Sequence, residues 1–302
     1  MSLIVTGSIG IDSVETPTRT AEQVLGGSAI YFAAGASFFT PVRLVAAVGD
    51  DFPESFLNTF KHFSVDLAGL EHRPGSKTFR WRGRYHENMN RRDTIEVELN
   101  VLGEAQPPVP SAYRDSEFVF LANTHPAAQL ELLDQFPDRE LAVADTMDLW
   151  IETERDALTT LLARIDGLVL NNDEAEQLAG DANLIRAAET IASMGPKFVV
   201  VKKGEHGAFI VYQGEKAMLP AYPAREVVDP TGAGDAFAGG MMGQLATSPK
   251  LSLDRLRRAM AYGTIVASFN IESFSLDQML QITRTDINRR FEAFRSMLQI
   301  TD

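Results

Sequence analysis

Short apolar runs alternate with amphipathic stretches along most of this chain. Leu3 to Thr6, Val42 to Asp50, Phe118 to Leu121, Leu141 to Ala144, Gly167 to Leu170 and Phe198 to Val201 are brief and rich in β-branched and aromatic residues, which predicts buried strands. Between and beyond them, Asp51 to Phe63, Gln129 to Gln135, Trp150 to Arg164, Leu184 to Met194 and Leu253 to Ser268 have helical periodicity. Strands and helices in alternation predict a parallel sheet covered on both faces, with ligands at the carboxyl ends of its strands. Residues 78–102 break this rhythm. Phe79, Trp81, Gly83 and Tyr85 alternate with Arg80, Arg82 and Arg84, so one strand face is aromatic and the other cationic. Thr94 to Leu99 repeats the alternation with acids, which predicts an antiparallel ribbon with Arg opposite Glu and an aromatic face that needs a cover. Ser13 to Thr18 also alternates like an extended strand.

The chemistry concentrates in Val227 to Gly240. The stretch reads as a short apolar strand that breaks at Pro230, passes Gly232 and Gly234, and enters a helix at Asp235-Ala236-Phe237. Glycines there leave the Gly232, Ala233 and Gly234 amides free at a helix start, where unsatisfied N–H groups and the helix dipole make an anion site. Asp235 is a carboxylate placed where a bound phosphate would repel it. Either it caps the first turn, or it removes a proton from a substrate hydroxyl while the amides hold charge on a migrating phosphoryl group. A P-loop would need G-x-x-x-x-G-K-[ST], which the chain lacks, and a dinucleotide fingerprint fails because its third glycine would fall on Phe237.

Composition narrows the class. With 302 residues and 45% apolar content the chain can bury a large core, and no run approaches the roughly 20 apolar residues that span a bilayer. The N-terminus shows no charged n-region with an apolar segment behind it, so a cytoplasmic protein with no membrane partner is expected. The absence of cysteine excludes disulfides, thiolate metal sites and a cysteine nucleophile. A formal charge of −13 argues against nucleic acid as a partner. His62, His72, His86, His125 and His206 have no metal-ligand spacing.

Asp229-Pro230-Thr231-Gly232-Ala233-Gly234-Asp235-Ala236-Phe237 resembles the signature of the ribokinase-like PfkB family of sugar and nucleoside kinases. The resemblance implies an α/β fold: a ribokinase-like three-layer αβα sandwich with a mainly parallel central sheet and a small β-sheet lid. It implies a single domain over residues 1–302, with the lid inserted at about 12–20 and 77–102. Asp235 becomes the catalytic base, and the Gly232, Ala233 and Gly234 amides the anion hole. Asp12 is expected to bind substrate hydroxyls beside the bare backbone of Gly26 and Gly27.

Further motifs follow in the family's order. Asn171 and Glu174 match its N-x-x-E, which orders Mg²⁺ and its waters around nucleotide phosphates; the same letters also spell a helix cap with first-turn acids. Lys203, Gly204 and Gly207 match a turn beside the nucleotide, where Lys203 either touches phosphate or is a solvated turn lysine. Thr231 is placed with the nucleotide, and Asp229 and Thr231 could supply oxygens to a monovalent cation such as K⁺. Phe274 stands near a glycine of many relatives, a departure that bears on that cation. Gly10 and Tyr31 replace asparagines common in ribokinase-type members. Lost amides, with Tyr31 and Phe32 as ring surface for a base, favour a nucleoside over ribose; the other reading of Phe32 is plain core packing, and it is the favoured one.

The implied activity is ATP- and Mg²⁺-dependent phosphorylation of a primary hydroxyl on an adenosine-like nucleoside or on a sugar such as ribose or fructose. A homodimer through the lid is the implied assembly. A catalytically silent nucleotide-binding regulator is the other class, against which the intact Asp235 argues. Arg80, Arg82, Arg84, Arg91 and Arg92 carry no assigned role.

Overall fold

The computed structural model describes residues 1–248 and 250–299. Along the chain the strands are β1 (Leu3–Thr6), β2 (Gly10–Glu15), β3 (Thr20–Gly26), β4 (Val42–Gly49), β5 (Asp66–Arg73), β6 (Phe79–Tyr85), β7 (Arg92–Glu98), β8 (Phe118–Leu121), β9 (Leu141–Asp145), β10 (Gly167–Asn171), β11 (Phe198–Lys202), β12 (Ala208–Tyr212) and β13 (Glu215–Leu219). The helices are α1 (Ser28–Ser37), α2 (Glu54–His62), α3 (Pro126–Leu133), α4 (Asp148–Thr153), α5 (Arg155–Leu162), α6 (Asn172–Ala179), α7 (Leu184–Ser193), α8 (Ala233–Leu245), α9 (Leu253–Asn270) and α10 (Arg284–Met297).

Nine strands form one sheet in the order β13-β12-β11-β10-β9-β8-β1-β4-β5. All its neighbours are parallel except β11 with β12 and β12 with β13. β1 shows how period two builds three layers. Leu3 and Val5 enter the core with residues of α1, α8 and α9, while Ile4 enters the opposite core with residues of α3, α5 and α7. Strands covered on both faces read as continuous apolar runs, and β1 and β8 are buried at every position.

Several expectations are corrected. β5 and the β12–β13 hairpin were not foreseen; the hairpin turns through Gln213 (φ 50°) and Gly214 (φ 85°), the paired left-handed residues of a tight two-residue loop. The helix expected over 150–164 is two helices, because Glu154 leaves helical backbone at φ −128°, ψ 36°. Val227-Val228 forms no strand. The Val228 and Asp229 amides donate instead to the carbonyl of Ile271, at 2.8 and 3.3 Å, so this segment is tied to the loop after α9.

β3-β2-β6-β7 form a separate four-stranded sheet. Its first segment exceeds the expected 12–20, since β2 and β3 together run from Gly10 to Gly26. Arg80, Arg82 and Arg84 do lie opposite Glu98, Glu96 and Asp93 in register. Their ion pairs go elsewhere: Arg80 to Asp51, and Arg82 and Arg84 to Glu15 on β2, each at 2.7 Å. Phe79, Trp81, Gly83 and Tyr85 share the other face with Asp12 and Val14, their register partners being Gly10, Asp12, Val14 and, through β7, Arg92.

Candidate active site

The start of α8 is the centre of the site. Gly232 caps it in the left-handed region at φ 72°, ψ 0°, and no side chain caps the helix. A Cβ at Gly232 would overlap the Tyr31 ring, so sterics as well as backbone angle require glycine here. Ala233 N–H is not free, because it donates to the Pro230 carbonyl at 3.1 Å. The expected amide set therefore shifts: Gly232, Gly234 and Asp235 are the N–H groups without an acceptor among the described residues. Asn270 Nδ2 donates to the Thr231 carbonyl at 2.8 Å and braces the loop.

Asp235 occupies the third position of α8, half-buried, and no other described residue donates a hydrogen bond to its carboxylate. It caps no other residue's amide. Burial raises its pKa, and the charges of Lys202 and Arg92 pull it back. Asp12 is buried with Oδ1 unpartnered. Burial, then the charges of Asp229 and Asp235, push it up to about 7 against the Gly27 amide, which favours its anion. A Cβ at Gly26 would overlap its Oδ2, so Gly26 makes the room in which this carboxylate sits, while Gly27 clears the backbone of Ser8 and Ile9. Asp229 Oδ1 accepts from Thr231 N–H at 2.8 Å, while its Oδ2 is buried without a partner and burial raises its pKa.

Tyr31 is corrected. Its ring is buried on α1 against Gly232, and Phe32 is stacked on Phe120 at 4.2 Å, so neither ring offers a face to a base. What Tyr31 turns toward the site is its hydroxyl, buried without a partner and held neutral by burial and by the charges of Asp12 and Asp229.

The lysine against the glycine loop is Lys202. Along β11, Phe198 and Val200 face the α8 side, and by period two Lys202 follows them. Its Nζ lies 2.7 Å from where a Cβ on Gly234 would stand, so that glycine is the lysine's clearance. Lys203, Gly204 and Gly207 form the turn after β11, closed by Lys203 N–H to the Gly207 carbonyl at 2.7 Å. At the next strand end, Asn171 Oδ1 accepts from Glu174 N–H at 2.8 Å and Glu174 Oε2 accepts from Asn171 N–H at 2.7 Å, a complete capping box. Burial raises the Glu174 pKa, opposed first by Lys202. From β7, Arg92 lowers Asp235 and Glu174 further. Thr231 Oγ1 donates to Tyr85 Oη at 3.1 Å, joining the glycine loop to the small sheet.

Residues 121–282 match the family model of the pfkB family carbohydrate kinases. A cytidine kinase of Thermococcus kodakarensis is 31% identical over 86% of this chain and 96% of its own. The chain belongs to the pfkB family. A nucleoside kinase of Methanocaldococcus jannaschii is 23% identical over 86% of this chain and 83% of its own. Among solved structures, Burkholderia thailandensis nucleoside kinase in complex with inosine superposes with a TM-score of 0.80 at 19% identity, over 98% of this chain and 99% of that one. A putative ribokinase II of E. coli in complex with ATP and Mg²⁺ gives 0.79 at 18%, over 97% and 99%. These two likenesses show the ribokinase fold. As a pfkB kinase the protein is a phosphotransferase with an alcohol acceptor, an ATP-dependent nucleoside or sugar kinase.

Four site residues of this pfkB chain were not singled out by sequence reasoning. Lys202 and Arg92 were passed over, and Tyr85 was read only as part of an aromatic face. Asp145 ends β9, buried with Oδ1 unpartnered; burial and then the Asp235 charge raise its pKa. Its signal was available, since a carboxylate closing a buried run marks a strand's carboxyl end.

Proposed function

We propose that this kinase transfers the γ-phosphoryl group of ATP to a primary hydroxyl of a nucleoside. The observation that carries the chemistry is Asp235, a carboxylate at an anion-binding helix start with no hydrogen bond to any other described residue. Asp235 takes the hydroxyl proton, the oxygen attacks the γ-phosphorus in line, and the Gly232, Gly234 and Asp235 amides hold the charge on the equatorial oxygens. Asp12, with the Gly26-Gly27 backbone, receives the acceptor's other hydroxyls, and the Tyr31 hydroxyl is a further donor to them. Asn171, Glu174, Lys203, Gly204, Gly207 and Thr231 line the nucleotide side, where Lys202 supplies the cation nearest the glycine loop.

Hard carboxylate oxygens at Glu174, with the unpartnered Asp145 Oδ1, suit Mg²⁺. When bound, Mg²⁺ neutralises phosphate charge. Asp229 Oδ2 and Asn270 Oδ1 are both buried without hydrogen bonds, a donor pair that suits a monovalent cation such as K⁺. The small sheet is the lid of one domain spanning residues 1–302. Ile95 and Val97 on its edge strand and Leu99 just past its end are 45%, 52% and 50% exposed, an apolar row that fits a lid-to-lid homodimer. Zero cysteines and dependence on ATP fit a cytoplasmic site of action.

Two observations favour a nucleoside. The cytidine and nucleoside kinases align over 86% of the chain, whereas fructokinase of Klebsiella pneumoniae aligns over 33%. The lid face that carries Asp12 also carries Trp81 and Val97, apolar surface that a base can bury and a bare sugar cannot. ADP release measured with cytidine, inosine, adenosine, ribose and fructose tests this. A nucleoside should have the highest kcat/KM; ribose or fructose above every nucleoside would overturn it.

A further inference from the structure

The small sheet carries four arginines close to the site, and their surroundings differ. Arg80, Arg82 and Arg84 are neutralised on the outer face by Asp51 and Glu15. Arg92 makes no ion pair within 4.0 Å among the described residues, and it is exposed. It opens β7 directly opposite Tyr85. Tyr85 Oη accepts from Thr231, the residue before Gly232, so Arg92 stands one strand pair from the anion-binding loop. At the hairpin tip, Asn90 Nδ2 donates to Glu205 Oε1 at 3.1 Å, in the turn after β11. The hairpin from Tyr85 to Arg92 thus spans the cleft between glycine loop and nucleotide turn. The Trp81 ring, 5.5 Å from the guanidinium carbon, holds the side chain on the inner face. Burial works against its cation, and the Tyr85 hydroxyl, then the charges of Glu174 and Asp235, outweigh it.

We propose that Arg92 is a catalytic residue supplied by the lid, whose guanidinium grips the phosphoryl group in transit between ATP and the acceptor. The site faces that group with the carboxylates of Asp12, Asp145, Glu174, Asp229 and Asp235, and the body of the protein answers them near the glycine loop with Lys202. A planar guanidinium matches two equatorial oxygens at once, which an ammonium cannot. In the transfer, the acceptor oxygen bonds to the γ-phosphorus as the bond to the bridging oxygen breaks. The electron pair leaves with ADP, and the acceptor proton goes to Asp235. Arg92 donates hydrogen bonds throughout and transfers no proton. Because the lid carries it, its charge arrives only on closure, when water is shut out.

The inference takes its acceptor from the nucleoside reading above, and the test separates the two. With cytidine as acceptor, Arg92→Ala should lose about 10³-fold in kcat, at the low end for a phosphoryl-transfer arginine, while KM for ATP moves less than about threefold. Arg92→Lys should fall between, and added guanidinium ion should restore part of the Ala variant's turnover. A structural role would instead lower the melting temperature and show no rescue. An Ala variant within about threefold of the parent kcat overturns the assignment. If the parent phosphorylates no nucleoside, that reading fails, and binding still decides Arg92. The Ala variant should then bind MgADP normally but hold MgADP with aluminium fluoride, a mimic of the migrating group, far more weakly; equal binding of the mimic overturns the proposal.

Discussion

α6 and α8 both begin beside the nucleotide side of the site, and both carry an acid at their third position, Glu174 and Asp235. They use it in opposite ways. In α6 the capping residue is Asn171, whose side chain and that of Glu174 satisfy each other's backbone amides at 2.8 and 2.7 Å. In α8 the capping residue is Gly232, which has no side chain to give, and the acid and three amides remain unsatisfied. Helix starts are stabilised by caps, so an uncapped one that is half-buried has its N–H groups available for a ligand. The same acid position is a structural clasp where asparagine caps the helix and the proposed base where glycine does.

The largest expected effect breaks that contrast at Asp235. Asp235→Asn should cut kcat by about 10² to 10⁴, the usual contribution of a positioned general base, without lowering the melting temperature. Steady-state rates beside thermal unfolding check both halves, and a variant with undiminished turnover would refute the assignment. Gly232→Ala comes next. Left-handed backbone alone costs a residue with a Cβ about 1–2 kcal/mol, and the overlap with the Tyr31 ring adds to it. Denaturant unfolding should show a loss of at least that size together with lower activity.

The comparison also explains what could be read from sequence. Parallel strands such as Phe118–Leu121 and Phe198–Lys202 were legible because burial on both faces forces continuous apolar runs. β5 and β13 were not, since edge strands are half-exposed and lose that signature. The glycine loop was legible as a motif, yet which amides it frees was not. That depends on Pro230 turning its carbonyl onto Ala233, a detail of backbone angle. Lys202 was missed because two adjacent lysines share one composition, and only strand alternation decides which faces α8. Arg92 was missed because its neighbours on the glycine loop lie some 140 residues downstream, and no local pattern joins β7 to Thr231.

A smaller effect should come from the clasp itself. Asn171→Ala removes the side-chain acceptor for Glu174 N–H and should cost about 1 kcal/mol, typical for losing an N-cap. Because Asn171 also fixes the Glu174 carboxylate, Mg²⁺-dependence of the rate should weaken alongside. Unfolding by denaturant and a Mg²⁺ titration of activity would show the pair; a stability loss with an unchanged titration would make Asn171 a clasp alone.

The smallest effect concerns α1, a third helix start, where Gly27 caps the helix and a carboxylate from β2 lies beside it. Asp12 is held near 7 instead of its ordinary 3.8, so the folded protein keeps a proton there that the unfolded chain has already released. That proton contributes stability fully below about pH 4, and the contribution fades as pH rises through about 7. Asp12→Asn fixes a neutral group of the same shape. At about pH 4 its melting temperature should match the parent's, and the gap should open as pH rises through about 7, so that near pH 8 the variant melts several degrees above the parent. A variant less stable than the parent at the higher pH would mean that Asp12 sits there as a satisfied anion, and that α1, like α6, is capped by its acid.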